Sequence, residues 1–250
     1  MTREEMRRRG MELGKALGQP VDPRSESVPG LADFTAEVVC AGIWDRPHLT
    51  IQDRSICTLA ALGLLQRFAA LGCMVGAALD QGLPPRSILE VFMQAGLYGG
   101  FDTTEAAAAC AQAVFKSRGL SVPADPPRTD SNEALDARGR ELMATLHGER
   151  GKEGYAAPGN DITGELYPAA IRYGYGELWF RPGLNHRQRM LCALASFTVL
   201  GLERQLAKFA ASALNVGLTR AEIIEAVIQA GPYGGFPRAL NGLAIISEVL

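Results

Sequence analysis

Long segments rich in Ala and Leu, separated by Gly and Pro, dominate the chain, and no stretch alternates β-branched and polar residues as a strand would. The stretch RSICTLAALGLLQRFAALGCMVGAALDQG and the later RMLCALASFTVLGLERQLAKFAASALNVG each predict a pair of helices with a break near the middle. Each stretch closes on a glycine, Gly82 or Gly217, where a left-handed helix stop is expected. Thr219 and Glu222 then form a predicted capping box for a further helix. The pattern predicts an all-α fold.

The chain contains an internal duplication. QAGLYGG at residues 94–100 returns as QAGPYGG at residues 229–235, and the offset of 135 holds without a gap from Trp44 to Phe101, with 23 of 58 positions identical. Near the two starts, RGMEL at 9–13 answers RGREL at 138–142 with an offset of 129. Repeats of this length are duplicated domains rather than solenoid units. We predict a first repeat at residues 1–119, a Pro-rich polar linker at 120–132 and a second repeat at 133–250.

Composition narrows the class of protein. The 250 residues are 47% hydrophobic with a formal net charge of −2, which is enough to bury a core and gives no basic surface for nucleic acid or an anionic membrane. The longest apolar run, MLCALASFTVLGL, is shorter than the roughly 18 residues of a membrane span. The N-terminal MTREEMRRRGMELG lacks the apolar segment of a secretory signal. We therefore expect no nucleic-acid or membrane partner and a cytoplasmic location.

Five cysteines show no C-x-x-C pair and no partner at metal-ligand spacing. Cys57 and Cys192 occupy equivalent positions in apolar helical runs, which indicates buried small hydrophobic side chains. We expect no metal site and no structural disulfide.

Both repeats carry a Glu–Gln–Tyr stripe in which successive members lie one helical turn apart, namely Glu90, Gln94 and Tyr98 in the first repeat and Glu225, Gln229 and Tyr233 in the second. Two interpretations stay open. The stripe is either a satisfied polar face at a helix–helix corner or a row of hydrogen-bonding groups along a pocket wall. The glycines after each Tyr favour a close approach of the next helix.

The segments WDRPHLTIQDRSICTLA and WFRPGLNHRQRMLCALA resemble the W-x-R-P-G-L-x-x-R-x-R-S-L-x-T-L-A block of carboxymuconolactone decarboxylases. The order ALDQG/ALNVG, EVFMQ/EAVIQ and YGG continues the resemblance to the ends of both repeats. The resemblance implies the all-helical fold shared with alkylhydroperoxidase D. It also implies oligomers built from dimers, so that one tandem chain supplies a dimer equivalent and three chains form a homotrimer.

The redox branch of this superfamily has C-x-x-C followed four residues later by His, and the decarboxylase branch has Arg, Glu and His at those places. The corresponding residues here are Arg67, Ala70 and Met74 in the first repeat and Leu202, Gln205 and Phe209 in the second. The absence of thiols excludes thiol peroxidase chemistry. Arg67 alone keeps the decarboxylase pattern, and Gln205 is an uncharged stand-in for the Glu.

The reaction that the resemblance implies needs bound anionic groups, a dry pocket and a proton returned to carbon, and it needs no metal or organic cofactor. The expected catalytic residues are His48, Ser55, Arg67 and Tyr98. The expected substrate contacts are Arg46, Arg54, Met74, Gln94, Gln205, Phe209, Gln229 and Tyr233. An Arg can bind a carboxylate with two hydrogen bonds, and His titrates near neutral pH. The competing interpretation is that the Arg residues form salt bridges and that His48 is solvated.

Apolar residues at the family's acid and base positions indicate a cavity suited to a larger, fairly apolar small molecule. We expect a cofactor-free lyase, isomerase or cyclase acting on a lactone or polyketide-like carbonyl compound, a chemistry that would suit natural-product tailoring. The alternative is a non-catalytic ligand-binding or assembly protein that kept the fold. Because Arg54, Ser55 and Arg67 stand at family positions, whereas Met190 and Leu202 replace the latter two, we expect the first repeat to carry the polar chemistry.

The expected assembly is testable on the purified protein. Three chains of 26.7 kDa each should form a homotrimer of about 80 kDa. Light scattering at micromolar concentration measures this mass directly. A strictly monomeric species would contradict the expected assembly.

Overall fold

The computed structural model describes residues 1–25, 27–157 and 159–250 of the chain. The described residues form twelve α-helices and no strand. The first six are α1 (Arg3–Ala16), α2 (Leu31–Phe34), α3 (Ile51–Leu64), α4 (Phe68–Asp80), α5 (Pro85–Gly99) and α6 (Phe101–Ser117). The second six are α7 (Asn132–His147), α8 (Leu166–Ala169), α9 (His186–Leu200), α10 (Glu203–Ala213), α11 (Arg220–Gly234) and α12 (Phe236–Ser247). The predicted all-α class is confirmed.

Local sequence signals produce the helix boundaries. Each long apolar stretch breaks in the middle, between α3 and α4 and between α9 and α10. Gly82 and Gly217 both have φ of +84°, the left-handed conformation that ends the preceding helical segment. Thr219 and Glu222 form the predicted capping box, in which each side chain accepts from the other's backbone N–H. None of the described helices is long and apolar enough to cross a membrane.

Two π-helical segments, Thr35–Trp44 and Ala170–Tyr175, were not predicted from the sequence. A π-helix makes wider turns than an α-helix and often occurs at functional sites. The first ends at Trp44, and the second leads into the short 3₁₀ turn Leu178–Phe180 that carries Trp179. Both indole rings are therefore buried at equivalent places in the two repeats.

The two repeats share one hydrophobic core. Helices α3 and α5 of the first repeat pack against α9 and α11 of the second. The double glycine at the end of α5 permits close packing, because a Cβ on Gly99 would lie 2.3 Å from Leu64 Cδ2. The Cys prediction is confirmed within this core, where Cys57 and Cys192 are buried and unpaired. Burial raises the pKa of Cys192 to about 12, so its thiol is inert.

Buried arginines connect the repeats in both directions. Arg54 on α3 donates to Glu225 at 2.9 Å and to Gln229 at 2.9 Å, both on α11. Arg189 on α9 makes the equivalent bonds to Glu90 at 3.0 Å and Gln94 at 3.0 Å, both on α5. Both guanidinium groups are buried. The Glu and Gln members of the two stripes are thus the satisfied polar face that one interpretation of the sequence predicted. We call these contacts the cross-repeat arginine pairs.

The cross-repeat arginine pairs give a stability prediction. Arg54→Met removes the buried partner of the Glu225 carboxylate and should lower the free energy of unfolding by about 3–5 kcal/mol. The matched control is Asp80→Asn, which removes the exposed ion pair with Arg118 and should change the free energy of unfolding far less, because solvent screens an exposed pair. Urea denaturation followed by circular dichroism measures both changes. Equal, small losses in the two variants would contradict a structural role for the buried pair.

Candidate functional site

A pocket of about 160 Å³ lies where α5 of the first repeat meets the second repeat. Its walls are largely aromatic, formed by Tyr98, Tyr175, Trp179, Phe197 and Phe209. Gln205 and Lys208 add polar groups at its edge. We call this the aromatic pocket. Wider surface grooves run along α1 and along the linker, but exposed charged side chains line much of both. An apolar cavity with a few convergent polar groups is the more usual form of a small-molecule site.

The aromatic rings contact one another closely enough to form a rigid wall. The ring centroids of Phe197 lie 4.5 Å from Tyr98 and 4.8 Å from Phe209. Tyr175 stacks on Trp179 at 6.2 Å with an interplanar angle of 8°. Such ring pairs are stabilising beyond their buried area, so the pocket is formed before a ligand enters.

Two hydrogen-bond donors meet at this wall. Because Arg189 can only donate, the Gln94 oxygen faces it and the amide nitrogen faces Tyr98, to whose hydroxyl oxygen it donates at 2.7 Å. The indole N–H of Trp179, 1% exposed, lies toward the same hydroxyl without reaching hydrogen-bond geometry. Burial raises the pKa of Tyr98, against partial opposition from Gln94 and Trp179. Within the described part of the chain, no contact gives the Tyr98 O–H or the Trp179 N–H a protein acceptor, and the Trp179 nitrogen is itself buried beside the Tyr98 hydroxyl.

At the equivalent place beside Trp44 of the first repeat, the corresponding groups hydrogen-bond to each other. Trp44 Nε1 donates to the Tyr233 hydroxyl at 2.8 Å. The Gln229 amide donates to Thr58 Oγ at 3.1 Å rather than to the tyrosine. Thr58 corresponds to Ala193 in the second repeat, which offers no acceptor. With no acceptor at Ala193, the Gln94 amide donates to Tyr98 instead.

Lys208 supplies a positive charge at the edge of the aromatic pocket. It is partly buried, and burial lowers its pKa while the carboxylate of Glu153 acts in the opposite direction. An ammonium group in this setting can hold an anionic group of a ligand. The first repeat has Cys73 at the equivalent place, so the charge belongs to the second repeat's pocket.

His147 lies behind the pocket with both ring nitrogens engaged. Nδ1 is 2.8 Å from Ser212 Oγ, and Nε2 is 3.1 Å from the Tyr175 hydroxyl. Burial, followed by the charges of Lys208 and Arg150, lowers the pKa of His147 to about 3. The imidazole is therefore neutral at neutral pH.

The structure brings some of the sequence-predicted site residues together and separates others. Tyr98, Gln205 and Phe209 line the aromatic pocket, and Gln94 lies directly behind Tyr98. Five others have structural partners or lie in the core, namely Arg46, Arg54 and Gln229 in contacts with α11 or α3, Tyr233 against Trp44, and Met74 in the buried core. For Arg46 and Arg54, the salt-bridge interpretation describes the observed geometry.

The three remaining first-repeat candidates do not form a site in the structure. Arg67 is exposed at the start of α4, and His48 is exposed in a loop with φ of +78°. Ser55 donates to the Ile51 carbonyl at 2.9 Å or to Gln81 Oε1 at 2.6 Å. None of these three residues lines the aromatic pocket, whose polar groups come from Tyr98 on α5 and from the second repeat.

The residues of the pocket region that were not predicted from the sequence include His147, Tyr175, Trp179 and Lys208. A usable signal exists for three of them. The aligned first-repeat positions hold Gly18, Cys40 and Cys73 in place of His147, Tyr175 and Lys208. Polar residues that enter one copy of an apolar segment mark a copy with a separate role. Among the described residues, no three or more His, Cys, Asp or Glu side chains cluster so that they could hold a metal ion.

Comparisons with known proteins agree with the duplicated architecture. The model of the carboxymuconolactone decarboxylase family matches residues 29–113 and again 164–248. A 4-carboxymuconolactone decarboxylase of Acinetobacter baylyi is 28% identical over 117 residues, which cover 47% of this chain and 84% of that protein. A nitrosuccinic acid decarboxylase of Metarhizium robertsii is 28% identical over 96 residues, 38% of this chain and 62% of that protein.

A third relative is an uncharacterised 15.0 kDa protein of Paracoccus denitrificans, 35% identical over 80 residues, which cover 29% of this chain and 60% of that protein. The two decarboxylases among these relatives support a decarboxylase-like enzyme in general terms. Together with the two family matches, these observations identify the chain as a member of the carboxymuconolactone decarboxylase family with two family domains in tandem.

Proposed function

We propose that the chain is a cofactor-independent decarboxylase-like lyase that works in the aromatic pocket, with one such site per chain. Its substrate would be a compact carboxylic acid with an electron-accepting group placed to take up the electron pair of the broken bond, such as a carboxylated lactone or a nitro acid. The observation that carries the proposal is the meeting of two hydrogen-bond donors, Tyr98 O–H and Trp179 N–H, beside the charge of Lys208.

Each group of the aromatic pocket has a separate role in the proposed reaction. The leaving carboxylate lies against the apolar rings of Phe197 and Phe209, where little water stabilises its charge. When carbon dioxide leaves, the electron pair of the broken bond flows into the carbonyl or nitro group. Tyr98 and Trp179 donate hydrogen bonds to the oxygen on which this charge develops. Lys208 holds a second, non-reacting anionic group of the substrate and so fixes its orientation.

The size of the pocket argues for a compact substrate. Its volume of about 160 Å³ is close to that of an apolar cavity of roughly 150 Å³ that accepts benzene. A single six-membered ring with its substituents fills such a space. This departs from the expectation of a larger, polyketide-like ligand that the sequence suggested.

A ligand-binding protein without turnover is the second candidate. Gln205 and Phe209 stand at the family's acid and base positions, and this observation favours binding alone. The two candidates differ in a simple observable, the release of carbon dioxide from a bound acid.

The duplication provides a matched pair of variants for the catalytic proposal. The wild type should release carbon dioxide from at least one acid in a panel that includes 4-carboxymuconolactone and nitrosuccinic acid. Tyr98→Phe should lower kcat by about 100-fold or more, the scale for one lost oxyanion donor. Tyr233→Phe removes the equivalent hydroxyl, which lies beside Trp44 of the first repeat, and should leave kcat unchanged. Turnover lost with Tyr233→Phe and kept with Tyr98→Phe would contradict the placement of the site. Binding of panel acids without any release would favour the ligand-binding candidate.

The proposed anion contact can be tested without a known substrate. 2-Furoate, a five-membered oxygen ring with one carboxylate, should bind and change the fluorescence of Trp179. Lys208→Met should weaken this binding by about 10-fold or more, because the carboxylate loses its charged partner. The uncharged analogue 2-furamide should bind the wild type and Lys208→Met equally. Equal 2-furoate affinity in both proteins would contradict the role assigned to Lys208.

A further inference from the structure

We propose that Tyr175 is a second catalytic residue of the aromatic pocket, the group that delivers a proton to the carbon that has lost carbon dioxide. His147 is the positioning residue that holds the Tyr175 hydroxyl for this step. The inference rests on the proposed function, which requires a proton donor separate from the donors that stabilise the oxygen.

The geometry places the Tyr175 hydroxyl between the pocket and a buried support. The Tyr175 ring lines the aromatic pocket and stacks on Trp179. Its hydroxyl is 3.1 Å from His147 Nε2, and the other ring nitrogen is fixed 2.8 Å from Ser212 Oγ. His147 is 2% exposed, so the contact to Tyr175 lies away from bulk water. An imidazole bonded at both nitrogens has a fixed ring orientation and therefore fixes the hydroxyl that it contacts.

The first repeat shows that packing alone does not require these groups. The three supporting residues His147, Tyr175 and Ser212 correspond to Gly18, Cys40 and Ala77. The fold accommodates these small residues, with Cys40 and Ala77 buried in the first repeat. Burying three additional polar side chains carries a desolvation cost that their hydrogen bonds only offset. The second repeat therefore contains three buried polar side chains that the shared fold does not require.

Tyr175 and Tyr98 reach the pocket from different elements. Tyr98 comes from α5 of the first repeat, while Tyr175 ends the second π-helical segment. The ring centroid of Phe209 lies 6.3 Å from that of Tyr98 and 4.9 Å from that of His147. The two hydroxyls therefore come from separate elements and can take separate roles, one at the substrate oxygen and one at the reacting carbon. This division of roles is what decarboxylation followed by protonation needs.

The step balances without an oxidant or reductant. The bond between carbon and the carboxylate breaks, and its electron pair enters the electron-accepting group as carbon dioxide leaves. The same pair then forms a C–H bond with the proton of the Tyr175 hydroxyl. The phenolate takes a proton from water before the next turnover. Each turnover consumes one proton from solvent.

The test uses the reverse of this proton transfer, since a group that protonates a carbon also removes a proton from it. The probe is 3-nitropropanoate in deuterated water, and proton NMR follows exchange at the carbon that bears the nitro group. The wild type should accelerate this exchange. Tyr175→Phe should lower kcat for exchange by about 100-fold while the KM for the probe stays within a few-fold.

The variants at His147 separate positioning from folding. His147→Leu should lose as much exchange as Tyr175→Phe, whereas His147→Gln keeps an amide near the place of Nε2 and should recover much of it. Tyr233→Phe, which removes the hydroxyl that contacts Trp44 of the first repeat, should exchange the probe like the wild type. Wild-type exchange by a folded Tyr175→Phe protein overturns the proposal, and so does the absence of accelerated exchange in the wild type.

The exchange and carbon dioxide assays on these variants also separate the role of Tyr175 from the proposed decarboxylase activity. Accelerated exchange that depends on Tyr175, without carbon dioxide release from any acid of the panel, supports the proton donor and contradicts the decarboxylase. Carbon dioxide release that Tyr98→Phe impairs and Tyr175→Phe does not supports the decarboxylase and contradicts the proton donor.

Discussion

The cross-repeat arginine pairs are the contacts on which the rest of the molecule depends. Arg54 and Arg189 are buried, and a buried guanidinium needs an opposite charge close to it. Each also donates to backbone carbonyls of its own repeat, but the carboxylate that balances its charge lies on the other repeat in both cases. Neither half can therefore neutralise its arginine alone. The contact of Arg189 with Gln94 also orients the amide that reaches Tyr98. The aromatic pocket is therefore a consequence of the same contact that joins the repeats.

The two repeats share the same framework residues but differ in the contacts that those residues make. Both repeats retain the tryptophan, the stripe and the arginine. Trp44 donates to Tyr233, whereas the equivalent Trp179 and Tyr98 make no such hydrogen bond and line a pocket. A duplicated domain can keep one copy for packing and devote the other to chemistry. The family's acid and base positions hold Gln205 and Phe209 here, so hydroxyl, indole and ammonium groups would carry the reaction that carboxylate and imidazole carry elsewhere.

Local signals explain what could be predicted. Helix breaks, left-handed glycines and the Thr219–Glu222 capping box depend on a few neighbouring residues, and these predictions are confirmed. The site depends on residues far apart in sequence, such as His147 and Tyr175 or Tyr98 and Phe209, which meet only after the repeats pack together. The change from Thr58 to Ala193 is small in sequence terms, yet it decides where the neighbouring glutamine amide donates. The polar groups found in one repeat alone were the signal that sequence reasoning did not use.

We propose that each chain has one working pocket, at the second repeat. An anomalous difference map from crystals soaked in 5-bromo-2-furoate tests this placement, because bromine marks the ligand. One bromine peak per chain is expected, between Tyr98 and Phe209. A peak at the equivalent place beside Trp44, Met74 and Tyr233, alone or with equal height, would rule the placement out.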